Sequence, residues 1–491
     1  MSLILYLLSA IINANRMPDI KPEFWEKICE VSKNLADEDD FLIVSHHDAD
    51  GVTACAIMVE LLTGMGKNTD YMILKQLDST TVAKVKERTG KTIVFTDMGS
   101  GQQSVLRKNG IEGFYIIDHH PPEAEYVNQI NPHFFGYDGG SEISASGLCY
   151  LAAKSLGDTK MAHIAMVGAV GDMQDSDGQM KSLNRIIMED ASNLGLLKVR
   201  KDLRLFGRQS RPLIQMLTYA SDPVLPWLTG DEAGCTAFLE GLEIPLRVDE
   251  RWRNYVDLSS AERNKLISAL YMHLLDYNIP EFVIQGMIGD VYTLLHEQKR
   301  TELRDAKEYA SLLNACGRQE RPEIGLQVCL GDRGENWYEA RIILKSYREA
   351  LAKGIRALKD KGMIQQRENL YYFDACGDVE ESIVGVVAGM AYGARIIPPD
   401  KPVLAFADDR DNPEMMKVSG RGNRNLTRKG LNLGVALREE SRKCGGEGGG
   451  HDIAAGARIK RANKEEFLTN MDKRIGEQLG KIPPAIKKDT T

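Results

Sequence analysis

The chain has 491 residues, 43% of them hydrophobic, which is enough for two to four domains that each bury a core. A formal net charge of −8 and a pI near 5.7 argue against a polyanion-binding surface spread over the whole molecule, so any such site must be a local concentration of Lys and Arg. Eight cysteines, at 29, 55, 149, 235, 316, 329, 376 and 444, form no Cys-x-x-Cys pair; this argues against zinc ribbons and a disulfide framework and for a reducing cytoplasm.

Residues 1–38 read as a tail and a leading helix. The opening MSLILYLLSAIINANR holds an apolar stretch from Leu3 to Ile12 that is too short to span a bilayer and has no basic segment before it. It reads as a loose amphipathic tail, or as the product of an upstream start codon, and no membrane association is expected.

Over residues 39–181 short apolar runs alternate with helical patterns: FLIV at 41–44, a helix from Val52 to Leu62, TIVF at 92–95, a helix after Gln102, and FYII at 114–117. Strands that alternate with helices predict βαβ units and a mostly parallel sheet, with a ligand site at the carboxyl ends of the strands. Residues 182–320 read as a mainly helical connecting region, with charged-face patterns at 257–277 and 294–316 around DPVLPWLTGDE. From 321 to 480 strand and helix signals mix: IGLQVCLGD, a long helix over 337–361, YYFDAC, KPVLAFADD, a glycine-rich stretch and a helix from about Lys464. These predict a second, smaller α/β domain, followed by a polar tail over 481–491.

Polar clusters end the apolar runs of the first domain. After FLIV come His46, His47, Asp48 and Asp50; after TIVF comes Asp97; after FYII come Asp118, His119 and His120; after MAHIAMVGAVG comes Asp172, with Asp175 behind it. A single Asp or His in such a place is ordinarily a cap or a turn residue. In a parallel sheet the recurrence brings several carboxylates and imidazoles to one edge, where they repel unless divalent cations compensate them. Carboxylate and imidazole ligands suit Mn²⁺ or Mg²⁺, and a pair of such ions serves phosphoester hydrolysis.

SHHDADG, TDMGS, IDHHPP and GAVGD, in this order, resemble the four motifs of the DHH phosphoesterase superfamily, and within it the archaeal RecJ-like single-strand nucleases, also described as GINS-associated nucleases. The resemblance implies that His46, Asp48 and Asp97 hold one ion, that Asp50, Asp97, His119 and Asp172 hold the other, and that Asp97 bridges the two. It further implies His120 near the substrate phosphate, with Asp118 orienting His119 or His120. His47 occupies a position that varies in the family and is left out.

GGEGGGHDIAAGARI (445–459) resembles the glycine-rich signature of the DHH-associated domain, in which Gly449, Gly450 and His451 would meet a phosphate; alone, such a run is more often a flexible loop. KVSGRGNRNLTRKGLNLGVALR (417–438) holds Lys417, Arg421, Arg424, Arg428, Lys429 and Arg438 and no acidic residue, a local phosphate-binding surface in which the family pattern turns Ser419 and Arg421 to the substrate. A second basic run, LKVRKDLRLFGRQSR (197–211), reads equally as nucleic-acid contact or as a helix with core positions. AKEYASLLNACGR (306–318) resembles the family's connecting region.

These expectations converge on hydrolysis of single-stranded DNA or RNA, as an exonuclease of DNA replication or repair, by water activated on two divalent ions. Two alternatives stand beside it: a phosphoesterase acting on short oligonucleotides, cyclic dinucleotides or pyrophosphate, and a replisome scaffold that binds GINS and the replicative helicase.

Overall fold

The computed structural model describes residues 20–480 apart from 89, 221 and 395, so the apolar opening and the polar tail lie outside the described residues. The chain divides into two compact units, residues 1–344 and 345–491.

In the first unit, helix α1 (Pro22–Ala36) buries Phe24, Ile28, Val31 and Leu35 along one face at helical spacing. Strands β1 (Asp40–His46), β2 (Asn68–Leu74), β3 (Thr92–Thr96), β4 (Tyr115–Ile117) and β5 (Gln129–Ile130) form a parallel sheet in the order β2-β1-β3-β4-β5. FLIV is wholly buried, as a strand covered on both faces must be, which is why it shows no alternation. The register pairs Ser45 with Thr96 and Thr96 with Ile117, so the residues that follow these strands leave along one edge. That edge is laced by hydroxyls: Thr96 Oγ1 donates to Ser45 Oγ at 2.7 Å, and Ser45 Oγ donates to the Gly51 carbonyl at 2.7 Å.

Helices α2 (Ala49–Gly64), α3 (Ala145–Ser155) and α4 (Ala162–Gly171) pack together beside the sheet. The fourth apolar run, MAHIAMVGAVG, is therefore not a strand but α4, with Asp172 at its C-cap. A fully buried helix lacks a polar face, so periodicity does not separate it from a buried strand. Small residues make the packing close: a Cβ on Gly168 would lie 2.2 Å from Ser146 Oγ and 2.3 Å from Thr53 Oγ1.

Strands β6 (Leu197–Leu203) and β7 (Ile288–Leu294) pair antiparallel and bracket a small helical body with its own core, including Leu239, Tyr255, Leu266, Leu270 and Leu274. The basic run thus begins as a strand, not a helix. The pattern at 294–316 is helical only in its second half, where Asp305 caps α5 (Ala306–Arg318). IGLQVCLGD, taken among the strand signals, lies mainly in helix α6 (Pro322–Cys329), which Pro322 opens at N1. The division between the units falls inside α7 (Glu335–Asp360).

The second unit is a mixed sheet of β8 (Gln365–Gln366), β9 (Tyr371–Asp374), β10 (Val403–Asp408), β11 (Met415–Arg421), β12 (Glu447–Gly450) and β13 (Ala454–Lys460), ordered β8-β9-β10-β11-β13-β12. Val403, Ala405 and Ala407 pack with residues of α8 (Glu381–Gly393), while Leu404 and Phe406 pack with α9 (Leu433–Lys443) and α10 (Lys464–Gln478), the period-two division of a strand covered on both sides. The glycine-rich run is not a loose loop: it forms the β12–β13 hairpin, with Gly449 opposite Gly456.

Candidate metal centre

β1 delivers His46, and the chain turns at once into α2. A Cβ on Gly51 would sit 2.3 Å from the His46 carbonyl oxygen, so only glycine passes there. Asp48 caps α2 through Oδ1, which accepts from Gly51 N at 3.0 Å, and keeps Oδ2 3.0 Å from His46 Nδ1. Asp50, in the first turn of α2, reaches the N-terminus of α3, where it accepts from Ala145 N at 2.7 Å, Ser146 N at 3.0 Å and Ser146 Oγ at 2.5 Å. Orphan amides at a helix start are a favourable place for a carboxylate.

Asp97 stands at the centre of the cluster. It follows β3 with φ 58°, in the left-handed region that Asp tolerates better than most residues, and is 3% exposed. Its Oδ2 lies 3.4 Å from His46 Nδ1, and its Oδ1 lies 3.2 Å from His119 Nε2 and 3.7 Å from His120 Nδ1. That Oδ1 is buried and has no hydrogen-bond partner among the described residues.

Beyond β4, Asp118 accepts from Ser100 N at 3.0 Å through Oδ2, and from His120 N at 3.1 Å and His120 Nδ1 at 2.8 Å through Oδ1. Asp118 thus orients His120, not His119. The His119 Nδ1–H donates to the Gly139 carbonyl at 2.6 Å, which sets the tautomer and turns Nε2 toward Asp97 and, at 3.8 Å, Asp50 Oδ2. Asp172 Oδ2 lies 3.8 Å from His119 Nδ1. Ligand atoms of His46, Asp48 and Asp97 lie within 4.8 Å of one another, as do those of Asp50, His119 and Asp172, and those of Asp97, Asp118, His119 and His120. His47 belongs to none of these groups. Asp175 is drawn away to Arg204, at 2.5 Å.

The charges are strongly coupled. Burial and the nearby Asp97 push the Asp50 carboxyl up to about 7. Against the downward pull of burial, Asp48 and Asp97 hold the His46 imidazole well above its usual range, and Asp172 and Asp97 do the same for His119. Burial and His46 instead push His47 down to about 3. A buried carboxylate oxygen without a donor, set among carboxylates and imidazoles, fits divalent cations of the Mn²⁺ or Mg²⁺ kind.

In the second unit Ser419 and Arg421 share one face of β11, and α8 makes room for them with a glycine: a Cβ on Gly385 would lie 2.5 Å from Arg421 Nη2 and 3.0 Å from Ser419 Oγ. The register continues Ser419 to Gly456 and then Gly449, a row without side chains beside the serine. Gly450 has φ 130°, which favours glycine, and His451 stands exposed in the turn after it. Lys417 is half-buried, and Arg424, Arg428, Lys429 and Arg438 are exposed.

Three family models match in chain order: the DHH family N-terminal domain over residues 40–169, the DHH-CID domain over 205–288 and the DHHA1 domain over 375–477. An uncharacterized protein of Methanocaldococcus jannaschii is 31% identical over 446 residues, covering 89% of this chain and 93% of its own.

The chain belongs to the DHH family.

Its fold is shared with CDC45 from Entamoeba histolytica, at a TM-score of 0.58 and 14% identity over 92% of this chain and 98% of that one. It is also shared with RecJ from Thermus thermophilus, solved with Mn²⁺, at 0.53 and 16% over 92% of this chain and 55% of that one.

Several residues around this DHH centre escaped the sequence reading. Gln174 is buried, and its Nε2 donates to Asp172 Oδ2 at 2.8 Å and to the Gly139 carbonyl at 2.9 Å, the same carbonyl that holds His119. Asn184 Nδ2 donates in turn to Gln174 Oε1 at 2.5 Å. Ser146 holds Asp50 in the same manner. No motif spacing marks an amide or hydroxyl that works across a fold. Gln174→Leu removes the donor shared by two candidate ligands and is expected to weaken Mn²⁺ binding about tenfold, read by calorimetric titration.

Part of the basic run of 197–211 is committed to the fold. Arg204 pairs with Asp175, and buried Arg208 pairs with Asp202 at 2.8 Å and Asp305 at 3.4 Å. These two arginines are internal, while Lys198, Arg200 and Lys201 of the same run are exposed.

Proposed function

We propose that this DHH-family protein is a metal-dependent phosphodiesterase that hydrolyses single-stranded DNA or RNA from an end, in replication or repair in the cytoplasm. The observation that carries the reading is Asp97: one buried carboxylate shared between two candidate ligand groups, with an oxygen left without a protein donor. His46, Asp48 and Asp97 would hold one ion, and Asp50, Asp97, His119 and Asp172 the other. Mn²⁺ or Mg²⁺ bound there supplies Lewis acidity toward phosphoryl oxygens and acidifies an attacking water.

The chain's own groups do the rest. Asp118 accepts from the Nδ1–H of His120 and so sets the orientation of the ring that the family resemblance places near the substrate phosphate. Ser419, Arg421 and the row of Gly449 and Gly456 offer donors and open backbone to a phosphate, with Gly450 and His451 at the end of the row. Among the described residues no helix is long and apolar enough to cross a membrane. Binding to GINS, which the family resemblance implies, would place the activity at the replication fork, and a pull-down from cell extract checks it.

The test is a time course on single-stranded DNA and RNA, each labelled at either end, with Mn²⁺ or Mg²⁺. Stepwise loss of nucleotides from one end supports the reading. Cleavage confined to dinucleotides, with long strands untouched, overturns it in favour of a small-substrate phosphoesterase. Arg428→Ala and Arg438→Ala are each expected to weaken strand binding irrespective of sequence and to reduce the slope of log affinity against log salt by about 1.

A further inference from the structure

The turn that carries His47, Asp48 and Ala49 rests on α5, a helix outside all three matched domains. At the start of α2 the Ala49 N–H has no acceptor in its own helix, as holds for the first amides of any helix. Asn314 Oδ1 accepts from it at 2.9 Å, across 265 residues of chain. One turn further along α5, a Cβ on Gly317 would lie 1.8 Å from the His47 carbonyl oxygen, so helix and turn meet backbone to backbone. Beneath Ala49 the floor is closed by small residues: a Cβ on Gly171 would lie 2.6 Å from Ala49 Cβ and 3.2 Å from Ala310 Cβ.

The other end of α5 is held separately. Glu308 accepts from Gln209 N at 2.8 Å, from Ser210 N at 3.1 Å and from Ser210 Oγ, and Asp305, the N-cap, pairs with Arg208 at 3.4 Å. The surface under the turn is thus fixed independently of the metal centre.

From this juxtaposition we infer that Asn314 and Gly317 are positioning residues for the metal centre, holding Asp48 in the rotation that leaves its Oδ2 beside His46. Asp48 has two acceptor oxygens, and Gly51 N takes one. Ala49 is 1% exposed, so without Asn314 its N–H has no water to turn to. The carboxylate of Asp48, the adjoining residue, is then left to turn toward it, and that swing withdraws Oδ2 from His46. The inference rests on the reading of His46 and Asp48 as ligands to a divalent cation.

The experiment is calorimetric titration of the full chain with Mn²⁺, alongside thermal unfolding without metal. Asn314→Leu is expected to raise the Mn²⁺ dissociation constant about tenfold, while Asn314→Asp, which keeps an oxygen at the accepting position, stays within about twofold of the native protein. A residue that served stability alone would lower the unfolding temperature and leave the dissociation constant in place. Should Asn314→Leu fail to fold, Asn314→Ala removes the acceptor without adding bulk and reads the same loss. Native-like Mn²⁺ affinity in the folded variant without the acceptor, or equal weakening in Asn314→Asp, overturns the inference and leaves the metal centre standing. A native protein that takes up no Mn²⁺ overturns both.

Discussion

Asp97→Asn is expected to lower hydrolysis of single strands by about 10³-fold, the scale of losing a principal electrostatic stabiliser of a transition state. Asn keeps the volume of Asp and tolerates the left-handed backbone at φ 58°, so the fold is expected to survive where Asp97→Ala strains the same position. What disappears is the negative charge, together with one of the two carboxylate oxygens that face His46 on one side and His119 on the other. Asp97 belongs to two of the three candidate ligand groups, so two weaken at once, unlike the outcome for Asp48 or Asp172, which belong to one group each. The measurement is single-turnover cleavage of labelled DNA and RNA in Mn²⁺, with bound metal counted by mass spectrometry. A variant that cleaves at native rate removes Asp97 from the chemistry and the shared-ligand arrangement with it.

Affinity for Mn²⁺ is expected to climb by about 10²-fold between pH 6 and 8, because cations compete with protons for the same groups. Burial and Asp97 push Asp50 up to about 7 from an ordinary 3.8. His46 and His119 are held well above 6.5 by Asp48, Asp97 and Asp172, although burial pulls them down. All three groups bind protons more tightly folded than unfolded. The stability they contribute is fully present below their unfolded pKa values and is lost as pH rises through the folded ones.

Metal-free protein should therefore lose stability from about pH 4 to 7 as Asp50 ionises, and further above 6.5 as the imidazoles lose their protons. Cations occupy the deprotonated groups, so added Mn²⁺ should raise the unfolding temperature most at the high end of that window. Calorimetry in two buffers of different ionisation enthalpy reads the protons released. Metal affinity flat across this range would mean that Asp50, His46 and His119 are not ligands.

Much of the centre was legible because it is built from chain-local devices. Each strand end sets its own polar residues: His46 directly after FLIV, Asp97 after TIVF, Asp118 and His119 after FYII. The glycine at 51 marks the sharp entry into α2. Other parts were misread for definite reasons. MAHIAMVGAVG and IGLQVCLGD are short, mainly apolar runs, and periodicity alone does not separate a strand from a buried helix in them. In LKVRKDLRLFGRQSR the division between exposed and internal basic residues was not legible, because Asp175 and Asp305, the partners of Arg204 and Arg208, are not part of the run.

By itself the sequence determined which residues end the strands and so which side chains are available as ligands, since a parallel sheet sends every carboxyl end to one edge. Tertiary structure alone decided how those side chains are held. Gln174 reaches Gly139 across 35 residues, and Asn314 reaches Ala49 across 265. A hydrogen bond of that span depends on where distant segments come to rest, and the helix packing that places them is set by the volumes of small residues such as Gly168, Gly171 and Gly317, which carry no local signal of the partner they will meet.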